Sequence, residues 1–264
     1  MVKKKNISRA IKILMKLLLS ILPRHLLIKL SVFLIPILKI LYRGKKFTDP
    51  IDGKSYRKFL PYGHKKIRLN ALCPGTLSLE RHRLLWLYLT RETSFLKENN
   101  KVLHIAPEQA FYKRFKEIRF WDYLTLDLRS PIADIKADIT NLPFDENVFD
   151  LIICNHVLEH IQDDKIAMKE IYRVLKKNGV AIMQIPIDTK RPKTYEDPKI
   201  TTNKKREKLF GQYDHVRIYG NDFFDRLTSV GFKTKKIDYT KKLSEEEIKK
   251  FSIIKNEIIP IGIK

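Results

Sequence analysis

A few acids and histidines carry most of the chemistry that this sequence offers. Asp127 closes the apolar run YLTLD, twenty-three residues after His104. A carboxylate at about that distance can accept hydrogen bonds from both hydroxyls of a ribose, which is why nucleotide-binding α/β folds place one there. Asp138, in ADITNLPF, follows the next apolar stretch and is placed for an adenine amino group. Asn155, in CNHVLEH, follows the stretch after that and faces the same crevice. Each acid alone reads as a turn or a helix cap. At successive strand ends, the two together favour a ligand.

The candidate general bases are His156, His160 and His215. His215, in QYDHVR, is preferred on the substrate side, with Tyr213, Asp214 and Arg217 beside it. The plainer alternative is that Asp214, His215 and Arg217 only tie a loop to the body. His156 and His160 stand four apart, on one helical face if the stretch is helical, with Glu159 between them. The order HVLEH is not HExxH, so no metal is expected, and His160 reads as a packed or capping residue.

These residues need a scaffold that brings the ends of apolar runs together. Between Lys101 and Pro186, short apolar runs alternate with helical stretches, the pattern of a parallel sheet with crossover helices. Strands are expected at 102–106, 123–127, 134–137, 149–154 and 180–186, with two more at 232–239 and 258–263. FDLIIC, at 149–154, is almost wholly apolar, as a strand covered on both faces must be. Helices are expected at 108–116, 163–176 and 222–230. Ser78 is a candidate N-cap for the helix LERHRLLWLYLTRETSF, and Ser244 with Glu247 forms a capping box for a late one. Ligands of such sheets bind at the carboxyl ends of the strands, where the residues above fall.

The residues now carry a resemblance. LPFDENVFDLIICNHVLEHI, followed by EIYRVLKKNGVAIMQIP, is similar to the class I methyltransferases that use S-adenosylmethionine, most closely the type 11 group. GQYDHVRIYGNDFFDRLTSVGF, at 211–232, resembles that family's late helix and strand. The resemblance implies a Rossmann-like α/β fold, a mostly parallel seven-stranded sheet flanked by helices. It also implies S-adenosylmethionine as cofactor, with His104, Ala106, Glu108, Asp127, Leu128, Asp138, Ile139 and Asn155 around it. His215 and His156 are the expected catalytic residues; Tyr213, Asp214 and Arg217 are the expected substrate residues. One motif departs. The family's first loop is acid-x-Gly-x-Gly, whereas here it reads His104-Ile105-Ala106-Pro107-Glu108-Gln109-Ala110, without glycine. The expected consequence is that Glu108 or His104 meets the methionine amino group. The alternative is a non-catalytic binding protein that keeps the fold.

The chain divides into three parts: a basic amphipathic helical extension at 1–46, a connector at 47–79 and the methyltransferase domain at 80–264. The formal net charge of the 264 residues is +23, and residues 1–46 hold twelve Lys or Arg with no Asp or Glu. Over half of the excess charge thus sits in the extension, beside apolar faces such as that of ISRAIKILMKLLLSIL. That combination suits an anionic membrane interface rather than a nucleic-acid groove. The uninterrupted apolar runs are too short to span a bilayer, which takes about 20 residues. A cytoplasmic protein, peripheral on the inner face of the membrane, is the expectation. With two cysteines, the sequence implies no disulfide framework.

The connector resembles a zinc-ribbon-like module found before some of these domains, marked by paired CPxC motifs and a following SLERHR. SLERHR is present at 78–83, but the paired positions are Asp49, Asp52, Cys73 and Thr76. One cysteine of four does not hold structural zinc, so a module that keeps its shape without metal is expected. Arg81, His82 and Arg83 are candidates for an anionic substrate group, or for pairing with acids of the body.

Overall fold

The structure, a computed structural model, describes residues 24–63 and 67–264. The helix expected over residues 7–22 lies outside them. Helix α1 (Arg24–Leu41) carries Pro36 inside it and leads into two antiparallel hairpins. The first pairs β1 (Arg43–Thr48) with β2 (Ser55–Tyr56); the second pairs β3 (Leu60–Tyr62) with β4 (Arg68–Leu72). Strand β1 thus begins within the stretch 1–46. Among the described residues no helix is long and apolar enough to cross a membrane.

Helix α2 (Glu80–Glu92) follows, and then the sheet: β5 (Asn100–Ile105), α3 (Gln109–Lys116), β6 (Trp121–Asp127), β7 (Ile135–Lys136), β8 (Phe149–Cys154), α4 (Asp164–Val174) and β9 (Leu175–Ile182). An excursion holds β10 (Tyr195–Glu196), α5 (Asn203–Phe210) and β11 (Arg217–Ile218). The chain ends with α6 (Phe223–Ser229), β12 (Lys233–Ile237), α7 (Glu245–Lys250) and β13 (Ile259–Ile263). The seven strands lie in the order β7-β6-β5-β8-β9-β13-β12, and only β13 runs against its neighbours. This is the architecture the resemblance implies.

Both faces of the sheet are covered, which is what makes FDLIIC apolar throughout. Leu84, Leu85 and Leu89 of α2, Phe111 and Phe115 of α3 and Ile248 of α7 pack on one face. Met168, Ile171 and Val174 of α4 pack on the other with Phe223 and Leu227 of α6. The Asp163 carboxylate accepts the Ile166 amide at the start of α4, and Ser244 with Glu247 closes the expected capping box of α7.

Two local expectations are corrected. Ser78 does not cap α2, because its hydroxyl donates to Asp49 (2.8 Å); the His82 Nδ1 accepts the Leu79 amide (3.0 Å) in its place. The helix expected over 163–176 stops at Val174. Leu175 turns to an extended backbone and pairs with Phe149, so the strand expected to start at Val180 starts there instead.

Candidate active site

Three of the expected ligand positions sit at carboxyl ends of adjacent strands: His104 on β5, Asp127 on β6 and Asn155 after β8. Asp127 holds its own loop through one oxygen, Oδ1, which accepts the amides of Arg129 (2.7 Å) and Ser130 (2.6 Å). Asp138 likewise spends Oδ1 on the Thr140 amide and hydroxyl. The turn reading and the ligand reading are compatible, since each carboxylate keeps a second oxygen. Leu128 is exposed beside Asp127 and Ile139 is buried beside Asp138.

The loop after β5 solves the missing glycine in its own way. Ala106 adopts φ +51°, in the left-handed region that glycine serves without strain. Its amide donates to the Leu126 carbonyl (2.7 Å). His104, fully buried, places Nε2 2.8 Å from Glu108 Oε2 and Nδ1 2.8 Å from the Tyr123 hydroxyl. His82 Nε2 lies 3.4 Å from the other Glu108 oxygen. A carboxylate is thus returned to the loop from position 108, between two imidazoles. Burial opposes its ionisation, but the His104 hydrogen bond and the His82 contact outweigh burial and hold it well below the usual carboxylate range. Burial, followed by the Arg81 charge, lowers His82 to about 4, so its role is to position Glu108. Arg83 is spent on the carbonyls of Ala71, Ser78, Phe251 and Ser252 and has nothing left for a substrate.

Buried polar atoms without partners mark where a ligand would be met. Asn155 Nδ2 and both side-chain polar atoms of Gln184 are such atoms. Asn155 Oδ1 accepts the Gln184 amide (3.3 Å), which joins the ends of β8 and β9. With the free oxygens of Asp127 and Asp138, these groups fit a nucleoside cofactor lying across the strand ends.

Next to them opens a cleft of about 1300 Å³, with His156, Glu159, His160 and His215 on its walls. The expected shared helical face of His156 and His160 is not formed. Leu158–His160 is a single 3₁₀ turn, and His156 stands before it at φ +53° with its amide donating to the Gln184 carbonyl (2.7 Å). His156 Nδ1 is 3.1 Å from Glu159 Oε1, and His156 Nε2 is buried without a partner. His215 arrives from the far loop, because the Val216 amide donates to the Glu159 carbonyl (2.9 Å). Its ring stands edge-on to that of His160, with centroids 4.7 Å apart. Burial lowers the pKa of His215.

Of the expected substrate residues, Tyr213 and Asp214 line the cleft and Arg217 does not. The buried Arg217 guanidinium donates to the carbonyls of Leu158, Ile161 and Gln162 and to Glu196, so it clamps the 3₁₀ turn in place. Sequence reasoning missed Glu257, which lines the cleft and whose carboxyl is raised by burial; no motif marks it. Arg81, singled out with its neighbours, does reach the cleft, and its Nε is buried without a partner.

The mostly parallel seven-stranded sheet with helices on both faces is the Rossmann-like architecture of class I methyltransferases. Residues 91–183 match the family model described as a methyltransferase domain. An uncharacterised protein of Methanocaldococcus jannaschii is 47% identical over 81 residues, 29% of this chain and 36% of that one. The ubiquinone/menaquinone biosynthesis C-methyltransferase of Neisseria meningitidis is 31% identical over 128 residues, 40% of this chain and 51% of the enzyme. The chain spans about a quarter to a half of the lengths of the curated relatives it matches. The solved YcgJ protein of Bacillus subtilis is similar with a TM-score of 0.45 and 17% identity, over 70% of this chain and 98% of that one.

Proposed function

We propose that the protein transfers a methyl group from S-adenosylmethionine to an acceptor that has an apolar part and is met at a membrane surface. The observation that carries the transferase reading is the row of uncommitted polar atoms at the strand ends, on Asp127, Asp138 and Asn155 inside the stretch that matches a methyltransferase domain and on Gln184 just after it. The cofactor supplies a methyl group already activated on a sulfonium. The protein's task is then to position the acceptor and take its proton. Glu159 accepts the hydrogen bond of His156 Nδ1, which leaves Nε2 as the proton acceptor for a hydroxyl or ammonium in the cleft.

The acceptor's character is read from the cleft mouth. Tyr62, Ile67, Leu69, Tyr213 and Ile254 all line the cleft and are all exposed. A polar floor under an apolar rim suits an amphipathic molecule. On α1, Phe33, Ile37, Ile40 and Leu41 share one face at helical spacing and are exposed, Ile40 to 79%. That face, in a segment rich in Lys and Arg and free of Asp and Glu, supports docking on an anionic surface.

The test is incubation of the full chain with methyl-labelled S-adenosylmethionine and a membrane fraction. Label is expected in the organic extract, reduced by roughly 100-fold or more in His156→Asn, the usual scale for a lost general base. Label that never exceeds the enzyme-free blank would contradict the proposal.

A further inference from the structure

The cleft floor holds more than a base and its orienting acid. Glu159, His160 and His215 each offer one ligand atom, and these atoms lie within 4.8 Å of one another. They come from two distant stretches that the fold fixes together, through the Val216–Glu159 backbone bond and the Arg217 clamp on Leu158, Ile161 and Gln162. Glu159 is 2% exposed. One of its oxygens meets His156 Nδ1, and the other, Oε2, is buried without a partner. Among the described residues, no lysine or arginine nitrogen forms an ion pair with it; its titratable neighbours are the histidines His156 and His160. A buried carboxylate costs several kcal/mol unless a cation compensates it. The His215 ring, in turn, touches His160 and, among the described residues, makes no hydrogen bond.

We propose that Glu159 Oε2, with one ring nitrogen each from His160 and His215, forms a three-ligand site for a divalent transition metal that leaves a coordination position open to the cleft. Two imidazoles and one carboxylate are a donor set that suits zinc, cobalt or iron and leaves room for water or substrate. Asp214 stands behind His160, its carbonyl 3.3 Å and its carboxylate 3.4 Å from Nδ1, the kind of outer support that orients a ligating histidine. Through its two oxygens, Glu159 would join the metal to His156. The site stands whether or not the cleft performs methyl transfer.

The test is titration of the untagged full chain, freed of metal by chelation, with cobalt(II), read by visible absorption and by displacement with zinc(II). One equivalent of cobalt is expected to bind and to give the intense bands of a site of low coordination number. His215→Ala and Glu159→Gln are expected to weaken binding by roughly 100-fold or more, with circular dichroism unchanged. Should His215→Ala fold poorly, His215→Asn, close in size, provides the same comparison. Absence of the bands in the wild-type chain would overturn the proposal. So would bands that persist unchanged in a folded His215 variant, since the metal would then lie elsewhere.

Discussion

Ala106 shows what one residue can and cannot reveal in a sequence. The absent glycine was plain in HIAPEQA, and so was the acid at Glu108. That Ala106 would take φ +51° regardless was not, since an L-residue pays about 1–2 kcal/mol there. Ala106→Gly is expected to leave thermal stability level or slightly raised, and Ala106→Val to lower it by about 1–2 kcal/mol, because β-branching is least tolerated at positive φ. Thermal unfolding of the two variants checks this. Asp127 and Asp138 were legible because a strand end is visible in apolar patterning. Glu159 was named only as part of a spacing argument. Its meeting with His160 and His215 spans over fifty residues of chain and depends on Arg217, which reads as a substrate residue until its carbonyl partners are seen.

At the scale of elements, the two hairpins of the connector are held by side-chain hydrogen bonds. All four paired positions accept an amide from two residues on: Ile51 to Asp49, Lys54 to Asp52, Gly75 to Cys73 and Ser78 to Thr76. Asp49 ties the halves, because its Oδ2 also accepts the hydroxyls of Thr76 and Ser78. Burial pushes the Cys73 thiol up to about 12, and one thiol with two carboxylates and a hydroxyl is not the sulfur and imidazole donor set of structural zinc. Asp49→Ala leaves an amide and two hydroxyls without their acceptor and is expected to destabilise the protein by about 2–4 kcal/mol, measured by denaturant unfolding. A second element-level effect concerns α2. Burial keeps His82 neutral down to about 4, against an ordinary value near 6.5. The unfolded chain takes up that proton first, so this contribution is whole above pH 6.5 and is lost as pH falls toward 4, by roughly 3 kcal/mol. Glu108, lowered in the folded chain, adds a loss at still lower pH. His82→Gln is expected to flatten the first part of that fall in unfolding measured across pH. The alternation of runs made the sheet legible. The early end of α4 was not, because Leu175 fits a helix pattern and becomes a strand only by pairing with Phe149.

For the whole molecule, charge and apolar surface are arranged unevenly. The basic, acid-free extension includes α1, whose face of Phe33, Ile37 and Ile40 meets solvent, while Lys39 anchors the helix to Asp52 of the connector at 3.3 Å. The full chain is expected to float with anionic vesicles at low salt and to be released as salt rises. A doubly substituted Ile37→Asp, Ile40→Asp chain is expected to stay behind, and equal flotation of both chains would contradict membrane docking through α1. The central claim, however, is that the strand ends hold a nucleoside cofactor, and calorimetric titration with S-adenosylhomocysteine tests it most directly. The wild type is expected to bind one equivalent. Asp127→Asn keeps an oxygen for the Arg129 and Ser130 amides but loses the charge that accepts the ribose hydroxyls, and it is expected to bind roughly 10-fold or more weakly. No binding by the wild type, or equal binding by Asp127→Asn, would contradict the account.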